Sequence, residues 1–218
     1  MIDLLARWGH YWDYGIASGL GITLLVSVVA LITTILWAAV ITALRLSNTP
    51  LRFVAIAYIE FFRSTPLLVQ LLTVFTTLPI LTGIYLDPFP NAILALTLNA
   101  GGYLAESYRT GFEAVPSGQY EAGAAIGMTP WVRMRRVIAP QAFRIILPAI
   151  GNAMIVIVLA TPFVYLAGLQ DLMGQASRIQ LTFDDFSPFL LVSLIYVVLG
   201  LLLAFGNGWL ERRFRLPA

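Results

Sequence analysis

Few residues in this chain could do covalent chemistry. There is no Cys, and His10 is the only His. This excludes disulfides, thiol nucleophiles and any Cys/His metal site. A lone His10 ahead of the first apolar run cannot complete a Ser/His/Asp constellation, which argues against an intramembrane enzyme. A carboxylate-only metal site stays open in principle, but the acidic residues form no cluster except Asp184-Asp185, and no metal ligand is assigned. All 13 basic residues are Arg. A P-loop needs its Lys to reach the nucleotide phosphates, so the chain holds no ordinary nucleotide site. If ATP drives it, another subunit binds the ATP. Gly19-Leu20-Gly21 is too short for a dinucleotide fingerprint, and no strand precedes it.

Other polar residues sit where lipid or packing would make them informative. Gln70 and Asn99 lie inside apolar runs. Such groups either bond across helices or line a pathway. Glu106 and Arg109 are one helical turn apart, as are Glu60 and Arg63. Each pair reads as a local ion pair at a membrane boundary, or as a gate or inter-subunit contact. The pI near 9.1 suggests nucleic acid, but the Arg residues stand between apolar runs, which excludes that partner.

The elements that must position these residues are membrane helices. The chain is 59% hydrophobic and 11% charged, with mean hydropathy +0.85. Soluble domains carry about a quarter charged residues. Charge-free runs cover Tyr14 to Leu44, Ser64 to Leu86, Pro88 to Ala105, Ile145 to Gln170 and Phe186 to Leu210. A span needs about 20 apolar residues. The fold expected is therefore an all-α membrane protein of about five transmembrane helices, in one domain covering 1–218. Pro88-Phe89-Pro90 moves the expected start of the third helix to about Asn91. Leu51 to Phe62 is expected along the inner surface, or as an extension of the second span. Trp8, Tyr11, Trp12 and Tyr14 resemble an interfacial aromatic belt. The first run is too long for a signal peptide and reads as a retained helix.

Placing the N-terminus outside leaves only Arg7 and Arg178 on the outer side. Arg45, Arg52, Arg63, Arg109, Arg133, Arg135, Arg136, Arg144, Arg212, Arg213 and Arg215 then fall inside with the C-terminus, as the positive-inside rule requires. The loop from about Gly111 to Arg144 becomes cytoplasmic. Asp171, Asp184 and Asp185 are expected to make the outer face mildly acidic.

That cytoplasmic loop reads as two short helices with a break. Ser117 is expected to cap the first, and Gly127 to end it in a left-handed conformation. Thr129-Pro130 reads as an N-cap followed by Pro at the first helical position. The second helix is expected to end before Pro140 and to present Trp131, Met134 and Val137, with Arg133 and Arg136 beside them. An apolar ridge with basic flanks fits a groove on a partner protein or anionic lipid.

Glu121-Ala122-Gly123, then Gly127, then Ile138-Ala139-Pro140 resembles the EAA loop of ABC importer permeases, within 115–140. Gly123 replaces that motif's second Ala, and Ala139 its Leu. Glu60 to Gln70 (EFFRSTPLLVQ), Leu98 to Glu106 and Gln141 to Asn152 are similar to blocks of the polar amino-acid branch, the histidine/glutamine/arginine type. The resemblance implies a non-enzymatic permease subunit of the bacterial inner membrane. It would carry polar amino acids by alternating access. Its implied partners are cytoplasmic ATPase subunits that bind ATP and Mg, a second permease (a heterodimer is favoured) and an extracytoplasmic binding protein. The ATPase-coupling residues implied are Glu121, Ala122, Gly127, Thr129, Trp131, Met134 and Arg135. The family's Lys-Asp-Thr-Ser block matches Leu159, Ala160, Thr161 and Pro162, where only Thr is kept. Pro162 would leave the Val158 carbonyl without its helical donor, directing it toward an interface or wet pathway. The candidate pathway residues are Gln70, Asn99, Glu106, Thr161 and Pro162. A secondary transporter would instead show paired inverted repeats and buried charges, which the sequence lacks.

Overall fold

The computed structural model describes residues 2–214, with side chains from residue 6 onward. Arg215 lies outside the described residues. The described chain is helical throughout, without strands. Helix α1 (Ile2–Tyr11) passes through a wide turn at Trp12–Ile16 into α2 (Ala17–Leu46). Then follow α3 (Leu51–Ser64), α4 (Leu67–Leu72) and α5 (Leu78–Thr82). After α6 (Pro88–Glu113) come α7 (Ser117–Ala125), α8 (Pro130–Arg133), α9 (Ala139–Ala160), α10 (Leu172–Phe183) and α11 (Ser187–Phe214).

Three continuous helical stretches are long and apolar enough to cross a bilayer: Ala6–Leu46, Pro130–Ala167 and Ser187–Phe214. A fourth forms if α3 and the helix Leu67–Thr82 count as one span bent by 110°. Helix α6 is less apolar and is not among them, but it is long enough. Its 26 residues reach about 39 Å, enough to cross about 30 Å of hydrocarbon. It is the central helix of the described residues. Its packed face is built from Ala92, Ala95, Ala100, Gly101 and Gly102, small residues that let helices approach closely. A Cβ on Gly101 would stand 2.7 Å from Trp37 Cδ1 and 3.0 Å from the Tyr58 hydroxyl. Helices α2, α3 and α9 pack around α6.

Two boundaries differ from expectation. Helix α6 starts at Pro88, not Asn91, because the first turn of a helix has no intrahelical donors to lose and tolerates both prolines. Pro140 does not end the helix begun at Pro130. A wide turn over Met134–Ile138, closed by the Ala139 N–H on the Met134 carbonyl, carries the chain directly into α9.

At the end away from the 115–130 loop, the segment expected as an acidic loop contains α10. Asp171 is fully buried rather than a surface charge, and its carboxylate caps α10 at the Gly174 N–H, 2.9 Å away. Asp184, with φ 51°, closes α10 in the left-handed region, which Asp tolerates better than most residues. Asp185 starts α11 by accepting from the Ser187 N–H at 2.9 Å. It also receives Tyr11 Oη at 2.8 Å and Arg7 at 3.1 Å, tying α1 to α11. Within the expected aromatic belt, Tyr11 is buried while Trp12 and Tyr14 are exposed.

Candidate functional site

The loop between α6 and α9 is folded by local rules. Helix α7 ends at Gly127, φ +78°. The Met128 N–H bonds the Gly123 carbonyl and the Gly127 N–H bonds that of Ala124, both at 3.0 Å, a Schellman closure that needs the left-handed residue. Thr129 then caps α8, accepting from the Val132 N–H at 3.4 Å, with Pro130 at the first helical position. Ser117 does not cap. It is already inside α7, whose N-cap is Pro116. The loop is braced by Arg133, which donates to the Tyr120 carbonyl at 3.1 Å. Its stem crosses Gly123 so closely that a Cβ there would lie 2.8 Å from Arg133 Cδ. An Ala there would require the Arg133 stem to shift. At the tip, Trp131 is 72% exposed and Ile126 73%. Glu121, Ala122, Thr129, Met134 and Arg135 are exposed beside them, whereas Val137 is half-buried against the core and does not extend the ridge.

The second membrane feature is the break between α3 and α4. Pro66 forces Thr65 into an extended conformation and has no N–H for the Phe62 carbonyl, four residues back. Two amides fill that vacancy. Gln70 Nε2 lies 3.1 Å and Asn99 Nδ2 3.4 Å from the Phe62 oxygen, and Asn99 also donates to Gln70 Oε1 at 3.0 Å. Gln70 is buried. Gln70 and Asn99 therefore hold the broken span to α6.

Glu106 binds Arg109 (Nε to Oε1, 3.0 Å) and, across to α2, Arg45; Arg109 continues to Glu113. The expected Glu60–Arg63 pair is not among the ion pairs of the described residues. Instead the Arg63 guanidinium lies over the Tyr103 ring, 5.7 Å from its centroid, and Tyr103 Oη donates to the Arg63 carbonyl at 3.1 Å. Tyr103 is six residues along α6 from Arg109, about 9 Å at a helical rise. Arg63 thus lies further than Arg109 from the loop end of α6. Tyr103 also lines a cavity of about 180 Å³ between α6 and α9, with Ala100, Ser107, Ala149, Asn152 and Ala153. Asn152, Ser107 and Arg63 were not singled out as pathway residues. The family block containing Asn152 and the charge at Arg63 were the available signals.

Thr161 is fully buried. Its hydroxyl lies 2.8 Å from the Val158 carbonyl, and its N–H also turns to the carbonyls of Ile157 and Val158. The oxygen orphaned by Pro162 is thus satisfied inside the fold instead of facing an interface or wet pathway. Thr161 Oγ1 is also 2.9 Å from Tyr196 Oη, which reaches Asp171 Oδ2 at 3.3 Å. The stretch Thr161–Ala167 continues as a tighter helix ended by Gly168, φ +90°. Leu159 is exposed.

Three long apolar helices and one bent helix pair around the small-residue face of α6, with an exposed helix–turn–helix loop between α6 and α9, define a multi-pass helical membrane protein. Residues 35–216 match the family described as "binding-protein-dependent transport system inner membrane component", and the chain belongs to it. It is 36% identical over 202 residues to the arginine transport system permease protein ArtQ of Bacillus subtilis (strain 168), covering 92% of each chain. It is 34% identical over 206 residues to the L-cystine transport system permease protein TcyB of the same organism, covering 93% of this chain and 87% of the relative. Among solved structures, one described as an amino acid ABC transporter with histidines superposes at TM-score 0.87 and 36% identity, covering 96% of both chains. An inward-facing MetNI methionine ABC transporter shares the fold at TM-score 0.75 and 20% identity, with 96% of this chain and 99% of that one covered.

Proposed function

We propose that this chain is the permease subunit of an importer for polar amino acids or close derivatives in a bacterial inner membrane. An extracytoplasmic binding protein delivers the substrate. Separate cytoplasmic ATPases bind ATP and Mg and grip the loop at Trp131, Ile126 and Met134, with Glu121, Ala122, Gly127, Thr129 and Arg135 shaping or flanking the contact. A second permease, different in sequence, completes the pathway. Relatives that carry arginine and cystine support an amino-acid cargo.

The observation that carries the pathway is Arg63. A guanidinium within a span faces protein or a water-filled cavity, because lipid solvates it poorly. Here it lies over Tyr103 at the edge of the cavity that holds Ser107 and Asn152, and a guanidinium suits a carboxylate ligand. The pathway runs past this face. Glu106 lies one turn nearer the loop; Gln70 and Asn99 fix the break that presents Arg63; Thr161 and Pro162 shape the wall from behind. The chain has no Cys, so introduced thiols are unique. Ser107→Cys and Asn152→Cys should react with a water-soluble thiol reagent and be protected by the transported amino acid. If both stay unreactive in every nucleotide state, the pathway lies elsewhere.

A further inference from the structure

Three cavities meet at Leu46, where α2 ends. One is a groove of about 430 Å³ between α2, α6 and α9, lined by Ile35, Ala39, Ala43, Phe112, Phe143 and Ile150. Its one polar side chain on α2, Thr42, is turned inward, bonding the Ala38 and Ala105 carbonyls at 2.7 and 3.1 Å. The groove therefore offers contact to hydrocarbon and little else. The second is a polar cleft of about 290 Å³ lined by Arg45, Ser47, Asn48, Arg52, Arg109 and Glu113. The third, bounded by Leu46, Phe112 and Glu113, runs on to Tyr120 and Met134 of the ATPase-facing loop.

The charges around the cleft do not balance. Arg45 and Arg109 are paired with Glu106 and Glu113. Arg52 is exposed and has no ion-pair partner among the described residues. One guanidinium is left over, at the end of the spans where the apolar groove opens.

We propose that this junction binds one anionic phospholipid, with its phosphate between Arg52 and Arg45 and an acyl chain in the groove. The order of surfaces matches the order of groups in such a lipid: an apolar trough, then a cationic, hydroxyl-bearing cleft at the span end. Basic pockets between membrane helices recognise anionic headgroups in this way, and guanidinium binds phosphate oxygens in a bidentate fork. A partner helix could fill the trough but would have to bring a carboxylate of its own to answer the surplus Arg52 charge. The third cavity gives the site a consequence. Its walls include Phe112, Tyr120 and Met134, so an occupied junction braces the root of the loop that meets the ATPase.

The test uses the whole permease–ATPase complex in nanodiscs of phosphatidylcholine with and without phosphatidylglycerol. Retained lipid is read by native mass spectrometry and thermal stability is measured alongside. Wild type should retain phosphatidylglycerol selectively and be stabilised by it. Arg52→Gln, at an exposed position, should lower that selectivity about fivefold, the effect of one near-surface basic residue. Ala43→Phe, also exposed, should abolish retention of either lipid by filling the trough. Three results would overturn the proposal: unchanged selectivity in Arg52→Gln, equal stabilisation by inorganic phosphate alone, or cross-linking of an Ala43→Cys variant to a second permease.

Discussion

At the scale of single residues, one substitution and one titration are the sharpest tests. Gly127 sits at φ +78° with nothing within 4 Å of a would-be Cβ, so space is not what requires glycine; backbone conformation is. A β-branched residue in the left-handed region costs about 1–2 kcal/mol. Gly127→Val should therefore re-aim α8 while leaving α7 and the spans folded. Transport should fall at least about tenfold while ATPase co-purification weakens only partly; full transport would place the hinge elsewhere. Asp185 gives a pH signature. The Ser187 N–H, then Tyr11 Oη, hold its carboxyl below the usual carboxylate range, and Arg7 adds to this. Its folded pKa is depressed, so the unfolded chain binds the proton more readily. The stabilisation is full above the unfolded pKa of about 4 and is lost as pH falls through the lower folded value. Between pH 5 and 3 the melting temperature of wild type should drop more steeply than that of Asp185→Asn. Parallel curves would mean that the clasp between α1 and α11 contributes nothing.

At the scale of elements, the chain repeats one device. At Pro66 and Pro162 the carbonyl each proline orphans is satisfied by protein: Phe62 by Gln70 and Asn99, Val158 by Thr161. Lipid leaves no alternative, because an unpaired carbonyl there costs several kcal/mol. The first break also projects Arg63 onto Tyr103. Pro66→Ala would supply the missing N–H to Phe62, release the two amides and favour a straighter span. Its expression should match wild type while its transport falls about tenfold or more; normal transport would show that the bend is incidental. This is also where legibility ends. The long spans could be read from the sequence because lipid demands long charge-free runs, and the Gly127 and Thr129 signals because caps act within a few residues. The 110° bend at Thr65-Pro66, the helix through Pro140 and the burial of Asp171 depend on contacts 25 to 149 positions apart or on a wide turn with no residue signature. The sequence marked Gln70 and Asn99 as polar groups in apolar runs, but not their shared reach to the Phe62 oxygen.

At the scale of the whole molecule, the surface is divided by chemistry. Helix α11 exposes Leu194, Val197, Val198, Leu201, Leu202 and Phe205, and α2 exposes Leu25, Ile32 and Leu36, a belt suited to lipid or another permease. The loop tip differs: Trp131 stands clear beside Arg135. Trp131→Asp would place an unpaired carboxylate in the proposed ATPase contact, a loss of about 3 kcal/mol or roughly a hundredfold in affinity. The variant should insert normally and purify without its ATPase. An intact complex after solubilisation would exclude docking there. The last prediction concerns which way the belt is threaded. Helix α9 runs antiparallel to α11: a Cβ on Gly151 would touch Asn207, and one on Gly200 would approach Leu159. Arg212 and Arg213 therefore lie at the same end as Arg144 and the loop arginines, joined by Arg45, Arg52 and Arg109 around Glu106 and Glu113. At the other end stand Arg7, bonded to Asp185, and Arg178, which donates to the Tyr14 carbonyl at 3.2 Å. Lys and Arg near span ends stay cytoplasmic during insertion, and such a charge asymmetry fixes orientation strongly. In intact cells, a membrane-impermeant thiol reagent should label Leu181→Cys, at an exposed position on α10, and should reach Gly118→Cys in α7 only after the membrane is opened. The opposite pattern would put the Trp131 loop outside. A cytoplasmic ATPase could not then grip it, and the coupling role proposed for that loop would fall with the orientation.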